Sequence, residues 1–415
     1  MSRAVQAPRT ELMLQGALYL LIASIPFEYP ERTIPLEIPT LTGAVFLLVT
    51  LFYPNRCYAR VPAPALWFGG YLVAYLAAIV AAPGEHASAA VSDFVVVLQG
   101  VLVFLAATNV MQDEKVTRRA LGTLVAACAL RAVLPFLGLG TSETVWTGGD
   151  RVSAQGQNTN SAAMILAAGL VALIGLTLLR RQKGAVNLVL AGALSVVLGF
   201  AIIETGSRGG FAALIGGVLV LAFAAAGWRQ RLRNGAIALV AVTLLAGAAA
   251  QLPVMRNRLL DAVQTGNLAG REQLYPALWT MFLEKPVMGW GPTTNNHELA
   301  PRVGERERAK RASHNLLLEL LTAGGLVMTL PFLVGLWLSA SSAWRARLGV
   351  HGALPSALLC SLFLSNMSGD WGASKLLWIV LAYAVASSQW RIPARRPARV
   401  HRRRWVMASP SDVRN

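Results

Sequence analysis

Apolar residues recur along this chain in runs that have the length of membrane-crossing helices. A hydrocarbon core about 30 Å thick is crossed by about 20 apolar residues in helical form. Twelve runs are separated by polar connections, of which one is long. The pattern predicts an all-α polytopic membrane protein with a single transmembrane domain over residues 1–415 and spans at 11–27, 38–53, 63–82, 91–111, 117–138, 160–179, 185–204, 210–227, 234–252, 315–338, 353–370 and 374–390.

The long connection, residues 253–313, lies between the ninth and tenth spans. Beginning at Gly270, apolar side chains recur at Leu274, Leu278 and Phe282. This is the spacing of one face of a helix. We therefore expect amphipathic helices in this loop, on or near the membrane surface.

Charge orients the predicted domain. The formal net charge is +17, and the termini and even-numbered connections carry 23 of the 37 lysines and arginines. Basic residues are concentrated in cytoplasmic connections. We therefore expect both termini in the cytoplasm and the long loop on the opposite side. The basic tail, 391–415, fits an anchor beside anionic membrane lipids, and no nucleic-acid partner is predicted.

The chain lacks the common metal and nucleotide motifs. It has no H-E-x-x-H, no D-x-D, no clustered Cys and His, no Walker A and no dinucleotide-binding fingerprint. We therefore expect no metal, no cofactor and no ATP hydrolysis; the alternative is a cation site built from carboxylates of separate loops. A transporter would need ionisable residues within several spans, and only Arg131 approaches that description, so transport is the weaker alternative.

The start of the eighth span resembles an anion-binding site. Ser207 and Arg208 are followed by two glycines, which allow close approach of a ligand to the backbone. The positive end of the following helix adds to the arginine charge, so phosphate is a natural guest. The alternative is a tight turn in which Arg208 pairs with Glu204 or reaches the membrane interface.

Arg271 opens the amphipathic stretch of the loop. It is either an anion-binding residue or a side chain that extends to the membrane interface. Seven other basic residues of the loop are expected to form a solvated set that faces water or lipid headgroups: Arg256, Arg258, Arg302, Arg306, Arg308, Lys310 and Arg311.

His314, at the start of the tenth span, is a candidate general base. The positive end of a helix disfavours an imidazolium, and a neutral imidazole can accept a proton. The alternative is a structural histidine at a helix start. Asn315, which follows it, and Arg151 and Asn160, which lead into the sixth span, are weaker candidates.

Taken together, these motifs resemble the O-antigen ligase family of bacterial envelope proteins. The superfamily also includes O-antigen polymerases and O-linking oligosaccharyltransferases. Order, spacing, the long loop and the number of spans agree, most strongly over residues 151–335. The motifs are Arg151…Asn160, Ser207-Arg208-Gly209, Gly270-Arg271, Pro286-Val287-Met288-Gly289-Trp290-Gly291 and Ser313-His314-Asn315-Leu316-Leu317-Leu318-Glu319-Leu320.

The resemblance implies a glycosyltransferase of the GT-C type in the bacterial inner membrane. It would take a glycan from undecaprenyl diphosphate on the periplasmic face, and the ligase branch would attach it to lipid A–core oligosaccharide. By the same resemblance, Arg208 and Arg271 bind the diphosphate and His314 is the catalytic base. A polymerase or a protein-glycosylating enzyme shares this donor chemistry and stays an alternative.

Overall fold

The computed structural model describes residues 9–28, 37–82, 84–139, 158–179, 184–224, 227–266, 270–305, 309–369 and 371–390. Over these residues the regular secondary structure is helical. Short 3-10 turns at Ile25–Phe27, Leu134–Leu137 and Trp371–Ala373 accompany the α-helices. These are α1 (Arg9–Ser24), α2 (Ile38–Leu51), α3 (Pro54–Cys57), α4 (Ala63–Ala81), α5 (Ala87–Val110), α6 (Glu114–Val133), α7 (Thr159–Leu179), α8 (Ala185–Glu204), α9 (Arg208–Phe223), α10 (Trp228–Gln251), α11 (Pro253–Thr265), α12 (Arg271–Glu284), α13 (Thr294–Arg302), α14 (Leu316–Ala346), α15 (Leu354–Asn366) and α16 (Lys375–Ser387).

Each predicted span coincides with a helix. Seven helices within the described residues are long and apolar enough to cross a membrane, namely α4, α5, α6 with its 3-10 extension, α7, α8, α10 and α14. The helices at the other five predicted spans are apolar but have 10–17 residues. A polytopic helical membrane protein is therefore confirmed, while a count of twelve crossings stays a prediction.

Two helices near the C-terminus end at residues other than the predicted span ends. The tenth span was expected to end at residue 338, but α14 continues to Ala346. Its polar residues Ser339 and Ser342 satisfy their hydroxyl groups within the helix by donating to carbonyls four residues earlier. The eleventh span was expected to reach residue 370, but α15 ends at Asn366 because the chain turns there.

Two helices lie in the interior of the bundle. Nearly all of α16 and the first two-thirds of α7 are buried, as expected for helices that are apolar on every face. Trp378 of α16 packs edge-on against Phe68 of α4, with ring centroids 5.1 Å apart. Phe104 and Phe332 complete this aromatic cluster. It joins the N-terminal helices α4 and α5 to α14 and α16.

The long loop forms three helices, α11, α12 and α13, at one end of the bundle. We call this end, which also holds the starts of α7, α9 and α14, the loop end. The stretch that begins at Gly270 forms α12, which buries Leu274, Leu278 and Met281 against Leu299 of α13. The basic tail 391–415 lies outside the described residues.

A break in α14 receives the loop segment Pro286–Gly291. Gly325 has φ 59° and ψ −157°, which interrupts the helix and frees backbone groups on both sides. The amides of Trp290 and Gly291 donate to the carbonyls of Thr322 and Ala323 at 2.8 and 2.9 Å. In return, the amide of Leu326 donates to the Pro286 carbonyl at 2.9 Å. The predicted motif at 286–291 thus attaches the loop to a transmembrane helix.

Acidic pH is expected to loosen α13. The rings of His86 and His297 stack with centroids 3.6 Å apart. Burial, followed by the adjacent His86, lowers the pKa of His297; Lys310 acts in the same direction, and the Ala309 backbone and Glu85 oppose it. Because the pKa of His297 is lower in the folded chain, the unfolded chain binds a proton at His297 more readily. The stack therefore stabilises the protein above about pH 6.5, and this contribution is lost as the pH falls.

Hydrogen–deuterium exchange of residues 294–302 measures this effect. We expect faster exchange at about pH 5 than at about pH 7.5, after correction for intrinsic rates. His297→Gln, which cannot be protonated, serves as the control and should reduce the pH dependence. Identical protection at both pH values in the native chain would contradict the prediction.

Candidate active site

The C-terminal end of α15 organises the loop end through two backbone carbonyls. The Tyr275 hydroxyl donates to the Met367 carbonyl at 2.8 Å and lies 3.3 Å from the His314 carbonyl oxygen. Arg271 donates from Nη2 to the Ser368 carbonyl at 3.1 Å. Residues 367–368 therefore fix the start of α12 and the residue before α14 in one place.

The start of α9 reaches the same point. Ser207 caps the helix, because its hydroxyl accepts from the Gly210 amide at 3.2 Å. Gly209 lies so close to Ser368 that a Cβ atom there would collide with the Ser368 hydroxyl. Arg208 extends into the loop and donates from Nη1 to the Arg258 carbonyl at 3.3 Å.

The carboxylates that act on Arg208 are Asp261 and Glu272, which both belong to the loop. The predicted alternative, a local turn in which Glu204 supplies the counter-charge, is therefore disfavoured. Arg208 instead connects the membrane helices to α11 and α12.

The sixth predicted span begins beside α9. Asn158 caps α7 by accepting from the Asn160 amide at 2.9 Å. One turn further along, Ala163 packs on Gly210, where an added Cβ atom would collide with the Cβ atom of Ala163. The register of the two helices places Asn160 at the loop end, near Ser207. The weaker candidate Arg151 lies outside the described residues.

His314 precedes α14 in an unusual backbone conformation. Its φ is 50°, and Thr293 is the other non-glycine residue with positive φ among those described. Asn315 caps the helix by accepting from the Leu318 amide at 3.1 Å, and its Nδ2 lies 3.5 Å from the Met367 carbonyl. A non-glycine residue held at positive φ by its surroundings is often found at a functional site. The half-buried His314 is therefore placed by the cap and by Tyr275 rather than by the helix itself.

Three helix starts thus surround the end of α15. The N-termini of α9, α12 and α14 each carry a partial positive charge, and Arg208 and Arg271 add full charges. The two predicted phosphate-binding residues, Arg208 and Arg271, lie close together. Tyr275, one helical turn after Arg271 in α12, contacts the backbone of His314 and so brings His314 to the same region. The arrangement is suited to bind an anion beside an imidazole.

The expectation that the basic loop residues form a solvated set was wrong for some of them, and Arg306 and Arg308 lie outside the described residues. Arg302 pairs with Glu284 and Glu298 and lies over the Trp290 ring, and Arg311 pairs with Glu305 at 3.5 Å. Arg256 is exposed as expected. Arg258 belongs to the arginine cluster. Burial, and then the charges of Arg208 and Arg271, lower the pKa of Arg258, while Asp261 opposes them.

Sequence patterns missed four residues that contribute to this arrangement. Tyr275 carries a signal that could have been used, because it lies four residues after Arg271 and therefore on the same face of α12. Met367 and Ser368 act through backbone carbonyls, for which side-chain identity gives no signal. Arg258 differs from Arg256 only in the direction it faces.

The described residues include no group of three or more His, Cys, Asp or Glu side chains placed to hold a metal ion. The absence of a metal from the reaction stays a prediction.

The chain is similar to a known protein family over part of its length. Residues 193–333 match a family model described as O-antigen ligase. No curated protein matches the chain. The matched segment covers about a third of the chain and runs from α8 into α14, so it contains Arg208, Arg258, Arg271 and His314. Over this segment the chain is therefore similar to the O-antigen ligase family.

Proposed function

We propose that this protein transfers a glycan from undecaprenyl diphosphate to lipid A–core oligosaccharide on the periplasmic face of the inner membrane. The observation that carries the proposal is the meeting of Arg208, Arg271 and three helix N-termini beside His314 at the end of α15. The family match supports the glycosyl-transfer class of enzyme. The distribution of basic residues supports the orientation.

The reaction needs one base and a stabilised leaving group. The acceptor hydroxyl oxygen attacks the anomeric carbon, and the bond from that carbon to the diphosphate oxygen breaks. His314 takes the hydroxyl proton, and the polyprenyl diphosphate leaves with the bonding electron pair. Arg208 and Arg271 stabilise the charge that develops on it, as donors in an oxyanion hole do. Attack in line with the leaving group inverts the anomeric carbon.

An apolar groove between α14 and α15 is suited to hold the lipid tail of the donor. It is lined by Leu320, Phe332, Leu336 and Phe363, and it begins at Leu316, two residues after His314. A polyprenyl chain in this groove would present its diphosphate to the arginines, since Met367 borders both the groove and the site.

Reconstitution tests the proposal. Purified protein is incubated with undecaprenyl-diphosphate glycan, a chelator and no ATP, together with one of three acceptors: lipid A–core, a second lipid-linked glycan, or a Ser/Thr peptide. Transfer to lipid A–core alone is the expected result. Transfer to a second lipid-linked glycan would identify a polymerase instead of a ligase, and transfer to the peptide would identify a protein-glycosylating enzyme. A strict need for added Mg²⁺ would overturn the metal-free mechanism.

Replacing Arg271 with alanine is expected to lower kcat/KM by about 10²–10³-fold, the usual cost of removing one oxyanion donor. Arg271→Lys keeps the charge but not the planar guanidinium, so its kcat/KM should lie between those of the native chain and Arg271→Ala. Initial rates at several donor concentrations measure both. Arg229→Ala, at an exposed position at the opposite end of the bundle, is the matched control. Equal rates for Arg271→Ala and the control would remove Arg271 from the mechanism.

A further inference from the structure

Arg258 lies on the first helix of the loop and faces the site. Met255, one turn before it, is buried against Ile203 and Ala249, so this face of α11 packs on the ends of α8 and α10. The same face directs Arg258 towards Arg208, whose Nη1 donates to the Arg258 carbonyl at 3.3 Å. Packing of α11 therefore determines where Arg258 lies.

The Arg258 guanidinium has unused hydrogen-bonding capacity. Its Nε is buried, yet it makes no hydrogen bond to any residue that the structure describes. A buried donor without an acceptor loses its hydrogen bonds to water and gains none in return, so proteins satisfy most such groups. An exception beside two other arginines indicates that the acceptor is a ligand.

Positive charge exceeds negative charge at this point among the described residues. Arg208 and Arg271 both repel Arg258, whereas Asp261 is the carboxylate that favours its charge. A cluster of like charges opposes folding unless an anion joins it. A phosphate group would supply that charge and accept from Nε.

We propose that Arg258 is a third substrate-binding arginine, and that Arg208, Arg258 and Arg271 together select a lipid-linked diphosphate over a monophosphate. The inference rests on the proposed function and deepens it. One phosphate is satisfied by a bidentate arginine and a helix N-terminus, whereas a diphosphate offers acceptors for a further guanidinium. Arg258 also stabilises the leaving diphosphate, which gains negative charge as the glycosidic bond breaks.

Binding of two matched probes tests this role without requiring turnover. The full chain in phosphatidylcholine nanodiscs is titrated with a polyprenyl diphosphate and with the monophosphate of the same prenyl length. We expect the native chain to bind the diphosphate more tightly. Arg258→Ala should raise the diphosphate Kd by about tenfold or more, and the monophosphate Kd by no more than about threefold.

Arg256→Ala is the matched control, because Arg256 lies on the same helix and is exposed. It should leave both constants unchanged. Thermal unfolding of each variant shows whether α11 stays folded, and Arg258→Lys provides a variant with the charge retained. Equal weakening of both probes in Arg258→Ala, or no weakening, would overturn the role of Arg258 while leaving the proposed function in place. A native chain that binds neither probe would overturn both.

Discussion

Replacing His314 with asparagine is expected to lower the rate of glycan transfer by about 10²–10⁴-fold, the usual contribution of a general base. Asparagine tolerates positive φ, which His314 adopts at 50°. The exchange therefore removes the imidazole while the turn before α14 is kept. Single-turnover rates with saturating donor measure the chemical step directly.

A chemical rescue distinguishes a base from a structural histidine. In His314→Ala, added imidazole should restore part of the lost rate, because a small base can occupy the vacated space. The thermal unfolding midpoint of the asparagine variant should stay close to that of the native chain. Full activity in both variants would show that the proton goes elsewhere.

Gly325→Ala is expected to destabilise the protein by about 2–6 kcal/mol, from backbone strain and steric overlap together. The conformation at φ 59° and ψ −157° is essentially limited to glycine. A Cβ atom there would also collide with the Val287 carbonyl group and approach the Pro286 oxygen to 2.7 Å. Relief of that overlap would expel the segment 286–291 from the break in α14.

Unfolding in detergent and limited trypsin digestion of the loop measure the two consequences. A lower unfolding midpoint and faster cleavage within 253–313 are expected. Gly247→Ala in α10 is the control, because a Cβ atom there meets nothing within 4 Å. If both variants unfold at the same temperature, the segment is not held by the break.

Local patterns predicted the helices well. The apolar runs located α7 and α8 within about one residue. In a membrane, backbone polar groups must be hydrogen-bonded within the helix, so an apolar run of the required length is a reliable sign of one. The starts of α9 and α12 were also visible, since Ser207 and Gly270 are characteristic of helix beginnings.

Long-range geometry was not visible. The pair Gly324-Gly325 is evident in the sequence, but the sequence does not show that α14 breaks there. The break is explained by the carbonyl groups of the loop segment that pack against Gly325. Arg256 and Arg258 are equivalent in a one-dimensional pattern, and the packing of Met255 separates them. The site roles of Arg208, Arg271 and His314 came from ordered motifs and stay predictions until the variants are measured.

The attachment of residues 286–291 to α14 and of Arg271 to Ser368 has a consequence for biogenesis. The loop is synthesised before either of its partners, since α14 begins at Leu316 and α15 ends at Asn366. A nascent chain that has emerged only as far as α13 already contains its arginines but has neither the helix break nor the carbonyls that position them. The candidate site is therefore one of the last regions to assemble during membrane insertion, and under the proposed function an unfinished chain would be kept from acting on a donor lipid.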